Sequence, residues 1–244
     1  LSIAIAHTME CRGIGNASAA VVINELGEIR ARQLGMNEVA IFMGVPSRDE
    51  AETSTPYDSS RTGVAYVGGV AMARGADTIA EVAPRILALH GCRVLVAGPL
   101  RDETARTTVK RDGIDYRGIL TRPEVRLILN EAAVGWLPLH HTPNHEKGWA
   151  LKLGEYMAAG LPVVVSDLAY CASMVNRYDC GIVVDADDAD AHLNALDYLL
   201  SSPDEAKRLG TNGKRAILEE LNAEAYALEL RELYGRLLPG TAVR

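Results

Sequence analysis

The stretch KLGEYMAAGLPVVVSD, residues Lys152 to Asp167, decides how this chain is read. Its first half has helical spacing. Gly160-Leu161-Pro162 stops the helix, and an apolar run follows at once. A helix that feeds straight into an all-apolar strand belongs to a parallel sheet covered on both faces. The same stretch poses a chemical question. Lys152 sits in the first turn of the helix, where the dipole disfavours a cation, and Glu155 follows one turn later.

Working outward, strand-like and helix-like segments alternate. Val64 to Val67, Arg93 to Ala97, Ile114 to Arg117, Val134 to Leu137, Pro162 to Val165 and Gly181 to Val184 read as strands. Ile79, Val82, Ala83, Ile86 and Leu87 line one face of a helix, and Val125, Ile128, Leu129 and Ala132 mark another. Ser202-Pro203-Asp204-Glu205 has the form of a capping box with proline at the first helical position. Ile217, Leu221, Ala225 and Leu228 predict one long final helix from Lys214. The expected fold is α/β, a Rossmann-like parallel sheet with helices on both faces. In such sheets ligands bind beyond the carboxyl ends of the strands, and several of those ends carry glycine here: Gly68-Gly69, Gly98 and Gly118.

The first 60 or so residues differ. Ile3 to Ala6, Ala20 to Ile23 and Val39 to Phe42 read as strands, and Glu25 to Leu34 as a helix. Asp49 to Arg61 is polar, contains Pro56 and reads as a connector. The expected division is therefore 1–60 and 61–244. The chain begins without a methionine, in a strand-like stretch, as a processed or truncated piece of a longer protein would.

Bulk properties narrow the function. The net charge of -7 and hydrophobic content of 48% describe a chain with a sizeable core and no general nucleic-acid face. Cys11, Cys92, Cys171 and Cys180 form no CxxC pair, which fits free thiols in a reducing, cytoplasmic setting. No apolar run approaches the ~20 residues that span a bilayer. Peripheral attachment to the inner face of a membrane would suit a lipid-linked substrate, but no basic amphipathic face supports it.

The chemistry of the opening stretch follows from its helix. A helix N-terminus gathers unpaired N–H groups and partial positive charge, and so attracts anions. Gly148, Trp149, Ala150 and Leu151 lie where this helix begins, and Gly148 lets backbone approach a ligand. Lys152 makes sense there beside a phosphate or diphosphate. Glu155 could accept two hydrogen bonds from the vicinal hydroxyls of a ribose. The alternative is a surface ion pair between Lys152 and Glu155 worth a few tenths of a kcal/mol, roughly. Gly68-Gly69 with Arg74 offers a second diphosphate contact, or else a plain loop with a solvated arginine.

These residues carry a family resemblance. The segment from Ala65 to Leu238 resembles the C-terminal, donor-binding half of GT-B glycosyltransferases, in particular the retaining family 4 (glycosyl transferases group 1). Four stretches match in order: YVGGVAMARGADTI (66–79), VLVAGPL (94–100), EYMAAGLPVVVSD (155–167) and LGTNGKRAILEE (209–220). Gly44-Val45-Pro46 sits where that family has its interdomain turn. The resemblance implies that residues 1–60 are a remnant of the N-terminal acceptor domain with the connector, and 61–244 the nucleotide-sugar domain. It implies a retaining, metal-independent hexosyltransferase with no cofactor, using a nucleotide-diphosphate sugar such as a UDP or GDP sugar as donor. The acceptor would be a carbohydrate, a lipid-linked group or a small molecule. A missing N-terminal domain or a partner chain would complete it.

By the same resemblance, Glu155 holds the ribose. Lys152 and Arg74 stabilise the diphosphate together with backbone around Gly68, Gly69, Ala150 and Leu151. Gly118 to Leu120 lines the base, and Lys147, Gly148 and Trp149 face the sugar. His7 falls where the acceptor domain often offers a histidine to the sugar. Two positions depart from the family pattern. The Glu expected eight residues before Glu155 is Lys147, with Glu146 one place away. The Arg expected after the first glycine is Gly69, and the expected Lys is Arg74. These departures leave open a non-catalytic nucleotide-sugar-binding or partner subunit of a split glycosyltransferase. An epimerase of the same architecture needs acidic and histidine groups that the sequence does not display as a set.

Other constellations point less far. His140, His141 and His145 flank Pro143, as metal ligands, as substrate contacts or as a polar loop. Gly13-Ile14-Gly15 is followed by Ser18, so the dinucleotide fingerprint is incomplete. Trp136 and Trp149 read first as packing residues.

Overall fold

The computed structural model describes residues 13 and 15–238. The strand expected at Ile3 to Ala6, and His7, lie outside these residues. Pro46–Leu221 forms one compact unit, and the described residues before Pro46 and after Leu221 form a second.

The larger unit is built on six parallel strands: β3 (Val64–Val67), β4 (Val94–Ala97), β5 (Ile114–Tyr116), β6 (Val134–Leu137), β7 (Val163–Ser166) and β8 (Gly181–Val184). Their order is β5-β4-β3-β6-β7-β8. Four of the six are buried at every position, which is why they read as apolar runs rather than alternating ones. On one face, Val64, Tyr66, Val96 and Trp136 pack with Ile79, Val82 and Ile86 of α3 (Ala76–His90) and Leu193 and Leu196 of α9 (Ala189–Ser201). On the other lies α7 (Leu151–Ala158), with Leu153, Tyr156 and Met157 fully buried.

The order reverses between β3 and β6. Chain progress runs outward to β4 and β5 on one side and to β7 and β8 on the other. Register pairs Val64 with Val134 and Ala65 with Gly135, and the pairing stops there. The strands part beyond it, leaving the Val67 N–H without a ladder partner. That N–H donates instead to the Tyr156 hydroxyl at 2.9 Å. Gly135 makes this possible, since a Cβ there would lie 2.6 Å from the Tyr156 ring. The split falls at the carboxyl ends of the two strands, the position where doubly wound sheets bind ligands.

Of the remaining helices, α2 (Arg48–Glu52) and α5 (Arg122–Glu131) begin with capping boxes, Ser47 with Glu50 and Thr121 with Glu124. The box expected at Ser202 does not form. Its backbone has φ -125° and ψ 71°, and its side chain makes no cap bond, although Pro203 does start α10 (Pro203–Glu219). The single final helix is also corrected. Asn222 interrupts it by accepting from the Ala225 N–H at 3.0 Å, which starts a separate α11 (Ala223–Leu237).

The unit boundary falls inside the Gly44-Val45-Pro46 turn, not at 60/61, and α11 belongs to the smaller unit. Residues 46–60 stay with the larger one for a physical reason. Arg61 is 7% exposed, and its guanidinium donates to the carbonyls of Thr55 and Pro56 in that segment and of Leu129 and Ala159 beyond it. Ser54 Oγ donates to Ala158 O at 2.9 Å.

In the smaller unit, β1 (Ala20–Val22) and β2 (Val39–Ile41) run parallel around α1 (Glu25–Gln33), which Asn24 caps by accepting from Gly27 N. Ala31, Met36 and Val39 form its core. α11 joins it through Glu229, which accepts from Ile41 N at 2.9 Å, and Arg236, which pairs with Glu38 at 3.0 Å.

Candidate functional site

Gly68, Gly98 and Gly118 end the neighbouring strands β3, β4 and β5 with φ of 130°, 138° and 73°. Their turns lie edge to edge: Gly68 N donates to Ala97 O and Gly98 N to Gly118 O, both at 2.7 Å. A Cβ on Gly98 would meet Gly68 O at 2.1 Å, so only glycine fits. The Tyr66 hydroxyl donates to Gly69 O at 2.8 Å and fixes the end of β3. Arg74 ends a 3-10 turn (Met72–Arg74), and Gly75 follows with a backbone that packs on Pro138 after β6.

Lys152 is the central residue. Its stem crosses Gly68, where a Cβ would stand 2.7 Å from Lys152 Cε. Its amine lies 4.0 Å from the centroid of the Tyr66 ring, out of solvent and with no hydrogen-bond partner. Burial, and then the charge of Arg74, pulls its pKa down to about 7. The N-terminus of α7 has no side-chain cap. A buried amine, an uncapped helix end and a nearby guanidinium thus converge, and Glu155 acts on the amine from a distance without forming an ion pair. Such an arrangement suits anionic oxygens.

Glu155 is half-buried, and burial raises its pKa against the opposing pull of Arg122. It forms no ion pair with Lys152. Glu50, bound to Arg126 at 3.1 Å and Arg122 at 3.6 Å, stands in its electrostatic neighbourhood. Neither Glu50 nor Arg122 was signalled by sequence spacing, because each is distant in sequence from α7.

The other expected positions divide. Gly69 lies beside Arg74, and also beside Arg101, which sequence reading missed. Leu120 is half-buried and Ile119 is 76% exposed in the loop after β5. Ala150 is half-buried and Leu151 exposed at the helix start. Trp149 turns inward: it is 8% exposed, and its Cζ2 would lie 3.0 Å from a Cβ on Gly154. Its ring packs beside Gly154. Gly148 follows α6 (Pro143–Lys147), where Lys147 is exposed.

Glu146, next to the place of the expected acid, is engaged within the protein. Its carboxylate bonds to the His141 ring and accepts from Ala169 N, the first residue of α8 (Ala169–Tyr178), at 3.2 Å. His140 pairs with Asp77 at 2.7 Å, and His145 Nδ1 meets His140 O at 2.9 Å. The three histidines are each engaged, and no metal-holding group occurs among the described residues. Trp136 is buried and donates to His192 Nδ1 at 3.0 Å. A cleft of about 580 Å³ lined by Thr62, Gly63, Cys92 and Arg93 opens at the other end of β3 and β4, away from this site. No helix among the described residues is long and apolar enough to cross a membrane.

A doubly wound sheet with a lysine at the helix start beside its switch point defines a class of fold. The chain belongs to the family described as glycosyl transferases group 1, whose model matches residues 61–202. It is 29% identical over 124 residues to the MMP alpha-(1->4)-mannosyltransferase of Mycolicibacterium hassiacum, covering 50% of this chain and 29% of that one. It is 27% identical to the alpha-maltose-1-phosphate synthase of Mycolicibacterium smegmatis, covering 83% of this chain and 55% of that one. The chain thus spans about half or less of these relatives. Among solved structures, the sucrose-phosphate synthase of Thermosynechococcus elongatus superposes with TM-score 0.74 at 22% identity, covering 96% of this chain and 62% of that one. S. aureus TarM, solved as a mutant with fondaparinux, alpha-GlcNAc-glycerol and UDP, gives TM-score 0.76 at 13% identity over 93% of this chain and 46% of that one. The fold is the GT-B one expected.

Proposed function

We propose that the chain is the donor-binding half of a glycosyltransferase that moves a sugar from a nucleotide-diphosphate sugar to an acceptor hydroxyl, with retention at the anomeric carbon. The observation that carries this reading is the buried, unpartnered Lys152 amine at the uncapped start of α7. A leaving diphosphate supplies the missing anion. Charge grows on that group as the sugar departs, so preorganised cations there favour the transition state. Lys152 and Arg74 take its oxygens with the backbone of Gly68, Gly69, Ala150 and Leu151. Glu155 takes the ribose, and the Gly118 to Leu120 loop lines the base. The donor is held without metal or cofactor, and no protein nucleophile is assigned.

Of the expected 61–244 segment, residues 61–221 remain the proposed nucleotide-sugar segment, with the compact unit extended back to Pro46, while the stretch from Asn222 on falls in the smaller unit. The smaller unit is read as the end of an acceptor-binding domain, completed by further residues of the same polypeptide or by a partner chain. The acceptor is a carbohydrate, a lipid-linked group or a small molecule, and His7, outside the described residues, stays a candidate by the family resemblance alone. UDP in one structural neighbour and phosphosugar synthases among the relatives support this class of substrate.

One observation favours a second reading, a nucleotide-sugar-binding subunit without turnover. The place of the family acid is Lys147, and adjacent Glu146 is tied to His141 and Ala169. Titration with UDP, GDP and ADP sugars in EDTA, followed by NMR of the anomeric proton, separates the two. Binding with a product of retained configuration supports the transferase. Binding without turnover supports the subunit, and no binding overturns both.

A further inference from the structure

Arg101 is left out of the donor site as the family resemblance draws it, yet the backbone brings it there. Val70 N donates to Pro99 O and Arg101 N to Val70 O, both at 2.9 Å. Val70 and Leu100 form an isolated parallel bridge. These contacts splice the turn after β4 onto the turn after β3. Asp102 reinforces the splice: its two oxygens accept from Met72 N and from Ala105 N of α4 (Glu103–Thr108), each at 2.8 Å. That carboxylate is therefore committed to backbone amides.

Arg101 consequently lies across Gly69. A Cβ on Gly69 would stand 3.5 Å from Arg101 Nε, 3.6 Å from Arg101 Cγ and 3.5 Å from Arg74 Nη1. Two guanidiniums thus close on one glycine, and neither side chain makes an ion pair or hydrogen bond among the described residues. On the adjoining glycine, Gly68, the stem of Lys152 is packed. Three cations therefore surround a two-glycine turn. Like charges gathered with no carboxylate bonded to any of them repel unless an anion joins them.

We infer that Arg101 is a third cation of this site and binds the second phosphate of a nucleoside diphosphate over Gly69. The inference rests on the donor reading above. The helix start and Lys152 serve one phosphate. Arg101, with Arg74, serves the other, its planar fork matching two oxygens of one phosphate. Gly69 is then the space that lets Arg101 reach in from the neighbouring turn. The chemical class selected is a diphosphate over a monophosphate.

The test is calorimetric titration of the full chain with UDP, GDP and ADP and with the matching monophosphates, in wild type, Arg101→Ala, Arg101→Lys and the control Arg106→Ala. Arg106 is exposed on α4 beside Glu103. Arg101→Ala should weaken the diphosphate about 10- to 100-fold and leave the monophosphate within about twofold. Arg101→Lys should fall between, and Arg106→Ala should match wild type. An unchanged diphosphate affinity in Arg101→Ala, or equal losses for both ligands, overturns the Arg101 assignment and leaves the donor site standing. No binding by the wild-type chain overturns the donor reading and this inference with it.

Discussion

Lys152 and Glu155 lie one turn apart on the same helix and do not pair. The amine turns back over the Tyr66 ring at 4.0 Å, and the half-buried carboxyl is left toward Glu50 and Arg122. Opposite charges at this spacing ordinarily gain a few tenths of a kcal/mol, roughly, by meeting. Holding them apart costs stability in the empty protein, and the proposed function gives each its own ligand contact.

Replacing Lys152 with methionine should therefore stabilise the empty chain. Methionine fills the same space over Tyr66 and needs no partner. The gain should be about 1–3 kcal/mol at pH 6 to 7. Its pH dependence has a definite sign. The unfolded lysine keeps its proton up to its ordinary pKa of 10.5, while the folded one loses it near 7. Folding thus releases a proton between those values, and wild-type stability rises with pH across that window. The gap between Lys152→Met and wild type should narrow from pH 7 to 10 in urea unfolding. A constant gap would show that the amine is not depressed.

The two glycines of the turn should respond differently. Gly68 has φ 130° and would put a Cβ 2.7 Å from Lys152 Cε, whereas contacts at Gly69 begin at 3.5 Å. Gly68→Ala should cost about 1–3 kcal/mol in stability and displace Lys152 from the site. Gly69→Ala should change thermal stability little. Parallel melting curves decide the matter, and equal losses at both positions would contradict this geometry.

Much of this was legible in the sequence. Short apolar runs, three of them closed by glycine, located the strands of the large sheet, because the four strands buried at every position cannot alternate. Lys152 stood out because its charge is placed against the helix dipole, and Glu155 because it follows one turn later. What was hidden depends on tertiary contact. Arg101 enters through the backbone splice between two turns, and spacing along the chain carries no trace of that splice. Trp149 read first as a packing residue, while the family resemblance set it against the sugar, and Gly154 opens a place for its ring. Asn222 breaks the final helix through a single cap bond, which the apolar periodicity on either side masked. Arg61 binds the connector to the large unit through carbonyls, which have no sequence signature.

The ribose assignment has its own variant. Glu155→Gln preserves shape and removes the charge. Affinity for the preferred nucleoside diphosphate should fall about 10- to 100-fold, with Tm equal to or above wild type because a half-buried carboxylate has been neutralised. The 2′,3′-dideoxy nucleotide should bind both proteins equally. Equal affinity of the wild type for the ribose and dideoxy forms would remove Glu155 from the site.

Tyr156→Phe tests the split between β3 and β6. The variant leaves the Val67 N–H buried without a partner, which should cost about 1–3 kcal/mol. Hydrogen exchange should quicken at Val67 more than at Val64, whose N–H is held by Arg93 O at 3.2 Å. Uniform acceleration along the strand would mean that the hydroxyl has no local role.

The most direct test of the central claim is an NMR titration of the Lys152 side chain, assigned by its loss in Lys152→Met, with and without a nucleoside diphosphate. The account predicts a pKa of about 7 in the empty chain and a rise to about 9 or above once the diphosphate joins the amine. An amine that titrates near 10 when empty, or whose pKa stays unchanged when the nucleotide is bound, would contradict it.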